Sequence, residues 1–311
     1  MTKNPLRAFY SNAPIKSLGK LAEVLDVAPL ALADLAASAD ALYRPVPQKK
    51  KDGTLRMTWD AYPQLKAVHQ KIKNRLLIPV RYPLYLQGGI RDRNAPRDYA
   101  RNAAIHAGQR CVFNEDVENF FPSIGADKVR DIWESFFRFT PSVSDVLTKL
   151  TTRGGELPQG ARTSSYLANL AFWRTEPELV RYLHALGYRY SRLIDDVTVS
   201  SARPLSARQK TQIISLIYAF FERDGFRPKY AKHRIYKANE RMLVNNLVVN
   251  AHPSLPDEQR KGIRSLVHYE ANANITDVQR LARVRGKVAL VARFHPSTAK
   301  RLADTLKSGN R

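Results

Sequence analysis

Cys111 is the only cysteine in the chain. A lone thiol cannot close an internal disulfide, and it excludes a zinc ribbon or a cysteine cluster. Long apolar runs are missing too. No stretch approaches the roughly 18 residues that a membrane-spanning helix needs, and the opening MTKNPLRAFYSNAPIK lacks the apolar segment of a secretory signal. A reducing, cytoplasmic setting with no membrane partner is the expectation. Negative charge is also scarce: 28 acidic residues stand against 51 Lys and Arg, a formal net charge of +23. That imbalance points to a polyanionic partner, above all nucleic acid, with phosphate contacts supplying most of the affinity. No internal repeat or long low-complexity segment is present. What the chain does have is length and apolar content, 311 residues and 44%, enough for a large core and more than one domain or subdomain.

Along the chain, Leu18, Leu21, Ala22 and Leu25 recur at helical spacing. Pro29 interrupts, and Leu30, Leu32 and Leu35 resume the pattern, so two short packed helices are expected. QKKKDGTLRM sets a lysine-rich Asp52-Gly53 turn between two extended segments within Tyr43–Trp59, a hairpin signal. Its lysines are either a solvated tip or a basic flap over a phosphate-bearing ligand. Lys66 to Leu77 reads as helix, Arg110 to Asp116 as a buried strand ending in a carboxylate, and Asp127 to Phe139 as an amphipathic helix with Val129, Ile132, Trp133 and Phe136 on one face. Ser164 to Trp173 is a further helix. Tyr188 to Ser200 reads as two strands around Asp195-Asp196. Ser206 with Gln209 forms a capping-box pattern before a stripe of Ile213, Ile214, Ile217, Phe220 and Phe221, and Gly225 suits the helix end. Met242 to Asn250 is strand-like. From Leu255 the chain is helical and basic, most strongly over Asp277 to Leu306. This order suits an α+β fold, an antiparallel sheet backed by helices.

Three segments carry the chemistry: FNEDVENFFPSI with Asp116, LPQGARTSSYLANL, and RLIDDVTVSS with Asp195 and Asp196. Adjacent carboxylates in an apolar hairpin repel each other, so either basic side chains or metal ions compensate them. Magnesium takes oxygen ligands from one or two carboxylates plus substrate phosphates. Two strand-end carboxylate sites in a basic protein can hold a pair of such ions, as in polymerases.

On these residues the chain resembles reverse transcriptases, and among them bacterial retron reverse transcriptases. The three segments match in order the first catalytic motif, the Leu-Pro-Gln-Gly motif and the aromatic-x-Asp-Asp motif. YRPVPQKKKDGTLRMTWDAYPQLKAVHQKI is similar to the fingers segment, GFRPKYAKHRIY to the lysine-bearing motif after the palm helix, and Asn102-Ala103-x-x-His106 to a retron signature. The resemblance covers roughly residues 40 to 250 and implies a right hand: an N-terminal helical extension (1–42), fingers (43–109), palm (110–250, with a fingers part around 140–160) and a basic helical thumb (251–311). It implies two Mg²⁺ ions on Asp116, Asp195 and Asp196. Lys50 and Arg56 are expected at the dNTP triphosphate, with Lys49 and Lys51 adjacent to the first of them. Gln159 and Gly160 are expected near nucleotide and template. Phe121 is expected under the sugar, excluding a 2′-hydroxyl, with Phe120 in the core. Lys232 either serves the leaving pyrophosphate or is a solvated surface lysine. His106 either positions RNA or orders its loop. Asn245 and Asn246, with Arg280, Arg283, Arg285 and Lys287, are expected at RNA.

The match departs from the pattern at Leu193, where an aromatic is usual, at Arg162 and Ser165, where prolines are frequent, and at Val244-Asn245-Asn246, where Val-Thr-Gly is frequent. No maturase, endonuclease or RNase H segment follows the palm. The resemblance implies a structured noncoding RNA as template and primer source, synthesis from a 2′-hydroxyl, a branched RNA–DNA product, and a role in antiphage defence with a separate effector protein. The alternatives are a defence reverse transcriptase with different priming, and a catalytically silent RNA-binding protein on the same fold.

Overall fold

The computed structural model describes residues 4–50, 53–92, 94, 96–273 and 277–308. Its helices are α1 (Leu18–Leu25), α2 (Pro29–Ser38), α3 (Pro63–Ile72), α4 (Tyr99–Ile105), α5 (Ala126–Asp131), α6 (Pro141–Thr151), α7 (Ser164–Leu170), α8 (Glu176–Ala185), α9 (Ala207–Arg223), α10 (Asp257–Asn272), α11 (Val278–Phe294) and α12 (Pro296–Ser308). Its strands are β1 (Tyr43–Lys49), β2 (Leu55–Ala61), β3 (Leu86–Gln87), β4 (Cys111–Asp116), β5 (Tyr188–Leu193), β6 (Asp196–Ser201), β7 (Arg234–Lys237), β8 (Leu243–Val244) and β9 (Leu247–Val248). The result is a mixed α/β architecture. Among the described residues no helix is long and apolar enough to cross a membrane.

The central sheet has the order β3-β5-β6-β4-β7. All its pairings are antiparallel except β3 with β5, which is parallel. Alternation along β4 builds both of its faces. Cys111 and Phe113 enter the main core, while Val112 enters a second core with α4, β8, β9 and the C-terminal helices. The register sets Asp116 opposite Asp196, and Leu193 opposite Asp196, so all three aspartates collect at one end of the sheet. A slip of one residue would turn Asp116 to the other face.

α9 covers the sheet much as its sequence predicts. The Ser206 hydroxyl accepts from the Gln209 N–H, and the Gln209 side chain accepts from the Ser206 N–H. At the other end Gly225 takes φ +78°. Its N–H donates to Glu222, and that of Phe226 donates to Phe221, a Schellman closure. The turn returns Phe226 to the core, where the Phe172 ring lies 4.6 Å from those of both Phe220 and Phe226. Burying each such side chain contributes about 1.5–3 kcal/mol.

Several expectations are corrected. The Met242–Asn250 strand is a hairpin of β8 and β9, because Asn245 (φ +49°) and Asn246 (φ +63°) form a two-residue turn with both centres left-handed, a geometry that Asn tolerates. The Asp277–Leu306 helix is two helices, because Pro296 lacks an N–H and starts α12 instead of continuing α11. The helix expected over Asp127–Phe139 ends as α at Asp131 and widens to a π-turn over Ile132–Phe136, burying Trp133 and then Phe137 while Phe136 is only half-buried. The Ser164–Trp173 helix stops at Leu170. Leu18 and Leu30 are exposed, since α1 buries Leu21, Ala22 and Leu25, and α2 buries Leu32 and Ala36. Of the Asp52-Gly53 turn, Lys51 and Asp52 lie outside the described residues. Gly53 (φ +85°) and the pairing of β1 with β2 fit the expected hairpin.

Candidate active site

The site begins with backbone contacts at the sheet end. The Val117 N–H donates to the Asp195 carbonyl (3.1 Å), and the Lys229 N–H donates to the Asp116 carbonyl (2.8 Å). These bonds draw the end of β4, the β5–β6 turn and the segment after α9 together. Lys232 extends from that segment and pairs with the buried Asp116 carboxylate. Burial, then the charges of Asp195 and Asp116, push Asp196 up to about 8. Burial and Asp116 likewise raise Asp195. For Lys232, burial opposes the charged form, but the bond to Asp116 and the Asp196 and Asp195 charges outweigh it and raise its pKa.

One buried carboxylate, Asp116, and two half-buried ones, Asp195 and Asp196, thus lie together, and among the described residues Lys232 is the cation that pairs directly with them. Among the described residues no three acidic, His or Cys side chains are already drawn around one point as a metal would hold them, and Asp116 is turned onto Lys232 instead. The donor set is nonetheless all carboxylate oxygen, the chemistry of a hard divalent cation. The repulsion that raises Asp195 and Asp196 is the kind that such a cation relieves.

Beside the carboxylates lies a cavity of about 310 Å³. Asp116 and Asp195 line it, with Lys50 and Arg56 from the β1–β2 hairpin, Phe121, Gln159, Lys229 and Lys232. Of the adjacent lysines, Lys50 lines the cavity, Lys49 pairs with Leu55 and is not among the lining residues, and Lys51 lies outside the described residues. Phe120 and Phe121 both line the wall, Phe121 half-buried and Phe120 buried and stacked on Phe172. Gly160 is a correction. It does not line the cavity but lies under the hairpin, where a Cβ would come within 2.7 Å of the Trp59 carbonyl oxygen. With the Trp59 N–H donating to the Gln159 carbonyl (2.8 Å) and Arg153 over the Trp59 ring, this close approach seats the hairpin that carries Lys50 and Arg56.

Sequence reasoning missed three features here. Lys229 sits in the quoted GFRPKYAKHRIY, three residues before Lys232, and that spacing was the available signal. Glu115 is buried, accepts from Tyr218 (3.1 Å) and pairs with His233 (2.6 Å), anchoring the segment that bears Lys232. Arg192 is fully buried and paired with Glu176. Its strand, YRYSRL, also carries the exposed Arg189, so the sequence alone did not mark Arg192 as the buried, paired one.

The expected RNA contacts divide. For His106 the structural one of its two readings fits and the RNA contact does not: it is wholly buried, with ring nitrogens 2.7 Å from the hydroxyls of Ser200 and Ser191, and burial lowers its pKa to about 3. It ties β5 to β6 and does not face solvent. Asn245 accepts from Asn102 (2.6 Å), so two segments far apart in sequence meet, and Asn246 is exposed at the turn tip. Arg280 pairs through its guanidinium with the buried Glu270 carboxylate, joining α11 to α10, while its side chain stays partly exposed. Arg283, Arg285 and Lys287 are exposed and make no ion pair among the described residues. Helical spacing puts Arg283 and Lys287 on one flank of α11. Arg285 lies on the other flank, beside a groove against α12.

No protein-family model matches the chain. It is 33% identical over 264 residues to the Retron Se72 reverse transcriptase of Salmonella heidelberg, covering 83% of this chain and 69% of that protein. It is 30% identical over 270 residues to the Retron Ec48 reverse transcriptase of Escherichia coli (83% and 65%), and 26% identical over 272 residues to the Retron Mx65 reverse transcriptase of Myxococcus xanthus (82% and 62%). The match therefore spans about two thirds of the length of these relatives.

Proposed function

The chain belongs to the retron reverse transcriptases, and from that premise we propose that it is an RNA-directed DNA polymerase that copies a structured noncoding RNA into DNA. The observation that carries this reading is the convergence of Asp116 and Asp195 with Lys50, Arg56, Lys229 and Lys232 around one cavity, with Asp196 paired across the sheet to Asp116 beside it. Residues 43–109 serve as fingers, 110–250 as palm and 251–311 as thumb, with 1–42 as an N-terminal extension.

Asp116, Asp195 and Asp196 are the groups that would hold two Mg²⁺ ions, whose chemistry when bound is to acidify the attacking hydroxyl and stabilise the leaving pyrophosphate. The chain's own side chains do the rest. Lys50 and Arg56 grip the dNTP triphosphate from the hairpin. Phe121 fills the space of a 2′-hydroxyl. Gln159 orients the nucleotide, and Lys232, kept protonated by its carboxylate neighbours, neutralises the leaving pyrophosphate. Arg283 and Lys287 hold the RNA backbone. The noncoding RNA also supplies the primer, an internal guanosine 2′-hydroxyl, so that the product is a branched RNA-linked single-stranded DNA. Its role is antiphage defence beside a separate effector protein.

The test is to express the chain with its native flanking DNA, purify it and treat the bound nucleic acid with RNase A, DNase I and debranching enzyme. A DNA species whose mobility changes on debranching is expected. Linear DNA without a branch would point to different priming. RNA alone, with no dNTP extension in Mg²⁺, would leave a silent binder. Asp195→Asn or Asp196→Asn should abolish DNA synthesis while RNA binding survives, and full activity in either variant would sink the carboxylate assignment.

A further inference from the structure

The β5–β6 turn is backed by a buried charge network that the proposed chemistry does not use. Asp195 sits in a two-residue loop between Leu193 and Asp196. Its partner in that loop, Ile194, has φ +60°, and Asp195 is not among the residues with positive φ. A loop with only its first residue at positive φ has the pattern of a type II′ turn, where glycine is usual. A β-branched side chain is a genuine outlier there. Such a conformation persists only when the surroundings over-determine it.

Arg192 supplies that constraint. Its side chain is completely buried and chelates Glu176 through Nε (2.6 Å to Oε1) and Nη2 (2.8 Å to Oε2). Nη2 also donates to the Asn169 carbonyl (3.1 Å), and Nη1 donates to the Ile194 carbonyl (2.7 Å). Glu176 accepts in addition from the Tyr190 hydroxyl (2.7 Å). The Ile194 carbonyl belongs to the peptide plane entering the Asp195 Cα. The Asp195 carbonyl, on the plane leaving it, is held by the Val117 N–H. Both peptide planes that set the Asp195 backbone are therefore pinned, one of them by Arg192. A buried ion pair is weak support for stability compared with an apolar pair of the same volume, so the network is better explained by the geometry it imposes.

We infer that Arg192, oriented by Glu176, is a positioning residue that holds the strained Ile194 turn and thereby aims the Asp195 carboxylate. The inference rests on the polymerase reading above. It separates two roles at the sheet end: the cavity side chains bind the nucleotide, and the Arg192–Glu176 pair fixes where the carboxylate stands.

The test is single-nucleotide incorporation on a primed RNA template by the full chain in Mg²⁺, across a dNTP titration. Arg192→Lys keeps a charge for Glu176 but cannot span Glu176, Asn169 and Ile194 together. Its kcat should fall by about 100-fold, the scale of a misplaced reacting group, with KM for dNTP unchanged because Arg192 is outside the cavity. Adding Ile194→Gly, which reaches positive φ without strain, should return at least about tenfold of the loss. The neutral pair Arg192→Met with Glu176→Gln, with folding followed by thermal melting, is read in the same way. A kcat within about twofold of wild type in a folded variant, a loss that Ile194→Gly does not relieve, or failure of both variants to fold overturns the positioning role. A wild-type chain that incorporates no dNTP overturns the polymerase reading instead.

Discussion

Phe121 and His106 show how differently single residues stand to this site. Phe121 lies at the cavity wall with only part of its ring buried, so truncating it opens space where a nucleotide sugar would rest. Phe121→Ala should raise incorporation of rNTPs relative to dNTPs by about tenfold or more, measured as the ratio of the two kcat/KM values. Unchanged sugar selectivity would assign the gate to another side chain. His106 acts on stability. It is neutral in the fold, with a pKa lowered from 6.5 to about 3 by burial, and His69 is lowered to about 4 mainly by the same cause. The unfolded chain binds these protons first. The contribution of both histidines is therefore complete above pH 6.5 and is lost as pH falls toward 3–4, by about 1.4 kcal/mol per pH unit for each proton. Thermal melting between pH 7 and 5 should show the decline, and His106→Gln should make it shallower. A melting temperature flat across that range would contradict the buried neutral state.

The β1–β2 hairpin acts as a unit. Lys50 and Arg56 reach the cavity only because the hairpin rests on the Gln159–Gly160 backbone. Gly160→Ala would put a Cβ 2.7 Å from the Trp59 carbonyl oxygen, at φ +118°, and the hairpin must move. Steady-state kinetics should show KM for dNTP rising by more than kcat falls. A change confined to kcat would mean that the hairpin does not carry the triphosphate contacts. At this scale the sequence was legible where local signals decide. The capping box of Ser206, the Gly225 closure of α9 and the strand ending at Asp116 follow from short patterns. It was not read where turn chemistry divides a segment: at Asn245-Asn246 apolar content continues on both sides of the turn, while at Pro296 the break was written in the sequence as a proline within a helical stretch.

Across the whole molecule, the +23 charge predicts that the proposed RNA binding weakens steeply with salt. The C-terminal basic side chains do not act as one surface, since Arg280 is spent on Glu270 and Arg285 lies on the other flank of α11 from Arg283 and Lys287. In binding assays across a salt series, Arg283→Gln and Lys287→Gln should each reduce the salt slope by about 1. Arg280→Gln should instead lower the melting temperature. An unchanged slope in the Arg283 and Lys287 variants would move the RNA surface elsewhere.

The order of the three motifs and the choice of Asp116, Asp195 and Asp196 as candidates came from the sequence alone, because adjacent carboxylates in an apolar hairpin and a carboxylate at a strand end are local patterns. So did the basic character of the chain, which is a matter of composition. Tertiary structure decided which basic residues reach the cavity, that Gly160 serves the hairpin, that His106 is buried between Ser191 and Ser200, and that Arg192 and Glu176 brace the Ile194 turn. These depend on contacts between segments up to about a hundred residues apart, where burial and pairing, not local pattern, determine what a side chain can do.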